Sequence, residues 1–353
     1  MKNLPNDIIW DLTYACPLRC GYCYSESGRR ENKEQDTKKL MDIADKIIEI
    51  HPDRVAFSGG EPLLVKSVYS LASYLKSKGI RVTLYTSGYT INSKNVSKIL
   101  ECFPEVRVSL DCHIPEINDR VRGKKGGAQR ALQALELLLS NRRHNSDNVV
   151  GIDTVVVQDN LPHLNVFCHH IARHFPTLDF INMGVAIPSG LANRQTFADT
   201  QLLTFEQLES VRDPRFIEHL RAPFPKEQAQ HITISDNFRL LMSAQDIESG
   251  TARVNAIQIE PDGKIRGSLI YEGTVGHILH DEISTILYRI QERLSDPLYV
   301  KVLKEINTLQ QWAESARTID LHYTTGKEHQ RIAKRHSAHF DKNTIHIKTE
   351  ETC

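Results

Sequence analysis

Cys16-Pro17-Leu18-Arg19-Cys20-Gly21-Tyr22-Cys23 places three thiols in a C-x3-C-x2-C run. Three cysteines this close cannot pair off without leaving one thiol over, which points to metal binding. Thiolates select zinc or iron–sulfur clusters. A structural zinc site asks for a fourth Cys or His nearby, and the nearest histidine is His51. A four-iron cluster held by only three cysteines would keep one iron open to a ligand.

Alternating strands and helices must position that run. Strand-like Ile8–Thr13 precedes it, and Leu40, Ile43, Ala44, Ile47 and Ile48 follow at helical spacing. Strands are then expected at Arg54–Ser58, Arg81–Ser87, Glu105–Asp111, Val149–Val156 and Asp179–Ala186. Helices are expected at 65–78, 92–102, 127–141 and 161–174. This alternation reads as βαβ units around a parallel sheet, six of them, short of the eight of a closed barrel. Chemistry in such folds gathers at the carboxyl ends of the strands. The cysteine loop, Gly59-Gly60-Glu61-Pro62, Thr86-Ser87-Gly88, Ser109-Leu110-Asp111 and Ile187–Gly190 all fall at such ends.

Cys16, Cys20 and Cys23, with Tyr22 before the last, followed by these motifs in this order, resemble the signature of the radical S-adenosylmethionine (radical SAM) superfamily. The resemblance implies an α/β fold, a partial six-unit (β/α) barrel over 1–195, and one [4Fe-4S] cluster on the three cysteines. It implies reductive cleavage of S-adenosylmethionine to a 5′-deoxyadenosyl radical that abstracts hydrogen from a substrate. Gly59, Gly60, Glu61 and Pro62 match the element that contacts the methionine amino group. Ser87, Ser109 and Asp111 are expected near the cofactor, with Tyr22 beside the adenine. Asp119-Arg120-Val121-Arg122 resembles an Asp-x-x-Arg element, which makes Arg122 the carboxylate-binding arginine and Arg120 its competitor. Asn160 is either a polar contact after the fifth strand or a helix cap for Leu161-Pro162. Cys112 stands where the family often has glycine. Cys112, Cys168 and Cys353 are candidate hydrogen donors to a substrate radical, against a reading as buried or terminal cysteines. A reductant such as flavodoxin or ferredoxin is the implied partner.

Residues 196–353 form a C-terminal extension. Thr204–His219 reads as one helix, and a further amphipathic helix runs from Ser284 towards Leu294. Within 254–270, two alternating runs flank Pro261-Asp262-Gly263, a hairpin with its turn. This part resembles the SPASM or twitch extensions of the superfamily, which carry auxiliary clusters. The cysteine expected after the hairpin is replaced by Gly267-Ser268, and no other cysteine lies between Cys168 and Cys353. A cluster-free remnant over the barrel mouth is therefore expected. His322, His329, His336, His339 and His346 thicken the tail, with His336 and His339 able to share a helix face.

At 353 residues, with Lys plus Arg and Asp plus Glu both at 44, the chain offers no global charge for nucleic acid or an anionic membrane. No signal-peptide core or membrane-length apolar run is present, and the scattered cysteines argue for a reducing, cytoplasmic compartment. The leading expectation is tailoring of a ribosomal peptide in natural-product biosynthesis. The cluster begins at Cys16, so no N-terminal peptide-recognition domain is expected, which keeps a small molecule such as a sugar or aminoglycoside close behind. A non-catalytic iron–sulfur binding or sensing protein is the alternative of another class.

Overall fold

The computed structural model describes residues 4–31, 36–143, 146–238, 247, 249 and 254–336. Its strands are β1 (Asp7–Thr13), β2 (Arg54–Gly59), β3 (Arg81–Thr86), β4 (Glu105–Ser109), β5 (Val149–Val156), β6 (Phe180–Val185), β7 (Ile232–Ser235), β8 (Ala256–Ile259), β9 (Lys264–Arg266) and β10 (Thr274–His277). They form one ten-stranded sheet in the order β10-β9-β8-β1-β2-β3-β4-β5-β6-β7. Strands β1 to β7 are parallel, neighbour to neighbour in chain order. The expected α/β core of parallel βα units is present.

Four strands, β7 to β10, lie beyond the six expected units. Ile232–Ser235 adds β7 beyond β6, a run too short for its pattern to separate strand from loop. The 254–266 hairpin forms as β8 and β9, and β8 pairs in parallel with β1. The hairpin is thus continuous with the core sheet. The expected Thr204–His219 helix is two helices, Phe205–Arg212 and Pro214–Arg221. Pro214 has no N–H to continue the first, and the Asp213 carboxylate accepts the Arg215 N–H at 2.9 Å to start the second.

Residue parity along the strands divides the sheet into two faces. Val55, Phe57, Val82, Leu84, Val106, Val108, Val150, Ile152, Ile181 and Met183 are buried in the apolar core. Helices α1 (Thr37–Ile50), α2 (Val68–Ser77), α3 (Val96–Cys102), α4 (Pro115–Arg122), α5 (Gly127–Asn141) and α6 (Leu164–His174) connect the strands. Helix α1 contributes Leu40, Ile43, Ala44, Ile47 and Ile50 to that core. The alternate strand residues Ser58, Tyr85, Arg107, Ser109, Asp153 and Asn182 are less buried and mostly polar.

The extension is fastened to the cysteine loop by buried charge. Glu26, three residues past Cys23, accepts from Arg331 and from Arg335 (Nε at 3.0 Å), both on helix Gly326–Arg335. Glu272 binds the same two arginines and lies 3.5 Å from Arg266 on β9. Asp320 accepts from Asn193 at 2.9 Å and from Arg335 at 3.4 Å. All three arginines are buried or mostly so.

Arg335→Ala would leave Glu26, Glu272 and Asp320 short of their shared donor. The expected loss is about 3–5 kcal/mol of unfolding free energy, read from urea denaturation. A loss under about 1 kcal/mol would mean that the network behaves as a surface pair.

Candidate metal and cofactor site

The cysteine loop leaves the carboxyl end of β1 and is pinned along its backbone. The N–H groups of Arg19 and Gly21 donate to the carbonyls of Arg122 and Val121 at 3.1 Å each, using acceptors at the end of α4. The Cys23 carbonyl accepts the Leu191 N–H at 3.0 Å. The Arg19 guanidinium donates to the carbonyls of Cys16 and Leu18 at 2.8 Å each.

Cys16, Cys20 and Cys23 are free and half-buried. Burial, then the neighbouring Cys20, pushes the Cys16 thiol up to about 12. Burial does the same to Cys20, against the opposing pull of the Arg122 and Arg29 guanidiniums. Among the described residues no three Cys, His, Asp or Glu side chains already stand in ligating geometry. The donor set nonetheless fits a thiolate-bound group: soft ligands on one pinned loop, beside guanidiniums that favour thiolate. A bound metal would remove the protons that burial retains.

The Gly59–Pro62 loop packs against the cysteine loop. Gly60 N–H donates to the Thr13 carbonyl at 2.7 Å, and Glu61 N–H to the Ala15 carbonyl at 2.8 Å. A β-carbon at Gly60 would overlap the Ala15 carbonyl, so this loop-to-loop approach requires glycine. Glu61 is fully buried, and its carboxylate accepts from Thr86 Oγ1 at 2.8 Å, Ser87 N at 2.9 Å and Ser87 Oγ at 2.5 Å. Sequence reasoning offered this carboxylate to an incoming ammonium. The structure spends it on tying the end of β2 to the end of β3, with Ser87 as its partner. Pro62 begins a short 3-10 turn that Glu61 caps.

Asp111 is the hub on the other side. It accepts from Tyr22 Oη at 2.5 Å, Arg122 at 2.9 Å and Val155 N at 2.9 Å. Asp111 is wholly buried and Arg122 nearly so. Arg122 Nε is enclosed without a hydrogen-bond partner among the described residues. Arg120 instead forms an exposed pair with Asp159 at 2.7 Å, so of the two arginines on α4 only Arg122 turns inward. Asp119 accepts from the Gly126 and Ala128 N–H groups and fixes the start of α5.

Asn160 stands at the N-cap position of the short 3-10 turn Leu161–His163, but its side chain makes no capping hydrogen bond there. Its Oδ1 accepts the Val157 N–H at 2.8 Å, and its Nδ2 donates to the carbonyls of Val155 and Asp111 at 2.8 and 3.0 Å. It braces the turn after β5 against Asp111. Ser109, at the end of β4, is half-buried. Cys112 follows the hub, buried, with burial raising its thiol. Cys168 is enclosed in the apolar core on α6, and burial alone pushes it up to about 12. That setting corrects the hydrogen-donor reading of Cys168. Cys353, His339 and His346 lie outside the described residues. His322 stands 3.8 Å from Asp296, and His329 Nδ1 faces the Leu321 and Thr324 carbonyls.

Sequence reasoning missed Asp11. It faces the interior from β1, accepts from Tyr24 Oη at 2.6 Å and Gln258 Nε2 at 2.8 Å, and burial raises it to about 6. Gln258 comes from β8. An acidic residue between apolar Trp10 and Leu12 was the available signal; its distant partner was not.

Residues 10–165 match the family described as the radical SAM superfamily. That stretch belongs to this superfamily of enzymes. It is 34% identical over 177 residues to mycofactocin maturase MftC of Mycolicibacterium smegmatis, covering 50% of this chain and 44% of the maturase. It is 35% identical over 130 residues to Fe-coproporphyrin III synthase of Methanosarcina barkeri, covering 36% of this chain and 32% of the synthase. The chain therefore spans less than half the length of these curated relatives. Its fold matches Streptococcus suis SuiB bound to S-adenosylmethionine, with a TM-score of 0.63 at 15% identity over 87% of this chain and 76% of SuiB. It also matches anSMEcpe with bound AdoMet, with a TM-score of 0.58 at 15% identity over 93% of this chain and 99% of that one. The radical SAM family implies a [4Fe-4S] cluster and S-adenosylmethionine, and the Cys16, Cys20 and Cys23 motif is in place. No helix among the described residues is long and apolar enough to cross a membrane.

Arg122→Ala would leave Asp111 buried without its counter-charge, at a cost of about 3–5 kcal/mol. Adding Asp111→Asn to that variant should restore part of the urea midpoint; no restoration would show that the pair does not couple. Asp11 gives a pH test. Its raised value means the folded chain holds this proton more tightly than the unfolded chain. The associated stability is present below about 4 and lost as pH rises through about 6. Asp11→Asn should therefore gain on the wild type as pH goes from about 4 to about 7. A difference independent of pH would show that Asp11 ionises normally.

Proposed function

We propose that this chain is a radical SAM enzyme that tailors a peptide, with one [4Fe-4S] cluster held by Cys16, Cys20 and Cys23. The observation that carries the reading is convergence. The three-thiol loop, the Gly59–Pro62 loop and the Asp111–Arg122 pair meet at the carboxyl ends of β1, β2 and β4. A protein that only bound or sensed a cluster would need the first of these and not the other two.

When bound, the cluster and S-adenosylmethionine supply hydrogen-atom abstraction at an unactivated carbon, and the protein's part is to bind, orient and enclose. The cofactors fall to the core, residues 1–195, and the described part of the extension walls the site. Gly59 and Gly60 let the second loop approach the first, and Glu61 with Ser87 fixes where that loop sits. Arg122 offers a cationic fork suited to a carboxylate, and Tyr22 is held beside it by Asp111. Ser109 and Asn160 complete the polar end of the sheet. Cys112, next to the hub, and Cys353 remain the hydrogen-donor candidates. The absence of cysteine between Cys168 and Cys353 supports a single cluster. The electron comes from a reductant such as flavodoxin or ferredoxin. A peptide substrate is supported by the likeness to a maturase and to SuiB, which has been solved with its precursor peptide SuiA.

Anaerobic reconstitution should load about four irons per chain. Reductant and S-adenosylmethionine should then release 5′-deoxyadenosine. Cys20→Ala should lose both iron and product. Product formed by Cys20→Ala at the wild-type rate, or zinc in place of iron, would sink the reading.

A further inference from the structure

Among the described residues, two of the three loop cysteines have a hydrogen-bond partner at sulfur, and the two partners differ in kind. Cys16 Sγ accepts the Leu18 N–H at 3.4 Å, a main-chain contact. Cys23 Sγ lies 3.4 Å from a side chain, Ser25 Oγ. Ser25 is fully buried and Ser27 is 2% exposed, so both hydroxyls must find their partners inside the protein.

Those partners can be counted. Ser25 Oγ stands 2.7 Å from Ser27 Oγ and 3.3 Å from the Gly59 carbonyl. Among the described residues the Ser27 hydroxyl meets only Ser25, so its proton points there. The Ser25 proton is left with two acceptors, the Gly59 carbonyl and Cys23 Sγ. A metal-bound thiolate carries charge and has no proton to give, and charge-assisted hydrogen bonds outweigh neutral ones. With the sulfur loaded, the order is Ser27 to Ser25 to Cys23, each bond polarising the next. The backbone on either side of Ser25 is fixed. The Cys23 carbonyl accepts the Leu191 N–H at 3.0 Å, and the Glu26 carboxylate is clamped by Arg331 and Arg335.

We propose that Ser25, backed by Ser27, is a positioning residue that sets the reduction potential of the group on the three cysteines. This rests on the reading above that Cys16, Cys20 and Cys23 hold a four-iron cluster, and adds the residue that tunes it. Reduction brings one electron from the reductant and spreads negative charge onto the ligand sulfurs. A donor aimed at Cys23 Sγ therefore stabilises the reduced form more than the oxidised one and raises the potential. No proton is transferred, since Ser25 keeps its own.

The test is a redox titration of the reconstituted full chain, read by electron paramagnetic resonance, for the wild type, Ser25→Ala and Ser27→Ala. Iron per chain and the unfolding midpoint report whether each variant is folded and loaded. At the wild-type midpoint potential, Ser25→Ala should show a ratio of reduced to oxidised cluster about tenfold lower, which is about 59 mV for one electron. Ser27→Ala should move the same way by less, because Ser25 keeps its proton and loses only the donor that polarises it. A hydroxyl that merely packed the loop would change iron content or stability and leave the potential where it was. An unmoved or raised potential in Ser25→Ala overturns the inference. If that variant loads no iron, the direction of the shift in Ser27→Ala decides by the same sign. The wild type separates the two levels. If it takes up no reducible four-iron cluster, the proposed function fails and this inference with it. If it does, and the variants titrate like the wild type, only this inference falls.

Discussion

The cysteine loop is shaped by charges that lie far from it in sequence. Glu26 sits at a positive φ of 53°, an uncommon backbone state for a residue with a side chain, and two arginines from the last described helix hold it there. Buried ion pairs rarely add net stability, because each charge gives up its water. Here the desolvation is shared: Arg335 serves Glu26, Glu272 and Asp320, together with the Gly190 carbonyl. Four arginines, Arg266 foremost, hold Glu272 far below the usual carboxylate range, whereas burial and the charge of Glu272 push Asp320 up to about 7. Such a network gains little from forming loosely and loses much when one member leaves. Its effect is to make the loop, β9 and the C-terminal helices a single cooperative unit.

That unit explains what sequence reading could and could not reach. Local signals worked where a residue's role is decided by its neighbours. The spacing of Cys16, Cys20 and Cys23, the helical stripe of Leu40 to Ile47 and the turn at Pro261-Asp262-Gly263 all carry their meaning within a few residues. Helix 127–141 and strand 149–156 appear with the expected bounds. Long-range partners did not announce themselves. Nothing near Glu26 points to Arg335, and nothing near Asp11 points to Gln258 on β8. Arg122 and Arg120 differ only in which side of α4 they occupy, and burial beside Asp111 is what separates them.

Glu61 shows a subtler limit. Its place in the motif was legible, but its hydrogen-bond capacity was not. Four contacts, from Thr86, Ser87 and the Leu63 N–H, occupy the carboxylate. The acid therefore sets the position of the backbone that surrounds it. The glycines before it act in the same way, since their missing β-carbons make room for the cysteine loop. A motif can thus be conspicuous in sequence for holding the site's walls together.

The segment after the hairpin carries Gly267-Ser268 where the resemblance to SPASM or twitch extensions leads to the expectation of a cysteine. Gly267 follows Arg266, and a β-carbon there would overlap the Arg293 guanidinium, which donates to the Gly273 carbonyl at 2.9 Å. Arg266 meanwhile lies between Glu260 and Glu272, at 3.1 and 3.5 Å. A metal cluster at such a place would cross-link β9 to the following loop through bonds that depend on metal supply and redox state. Guanidinium–carboxylate pairs make the same cross-link with neither dependence. Because Glu272 and Arg335 extend that link to Glu26, the extension supports the cysteine loop before any iron arrives. What the extension contributes here is geometric: its buried charges hold the loop that carries Cys16, Cys20 and Cys23 against the end of the sheet.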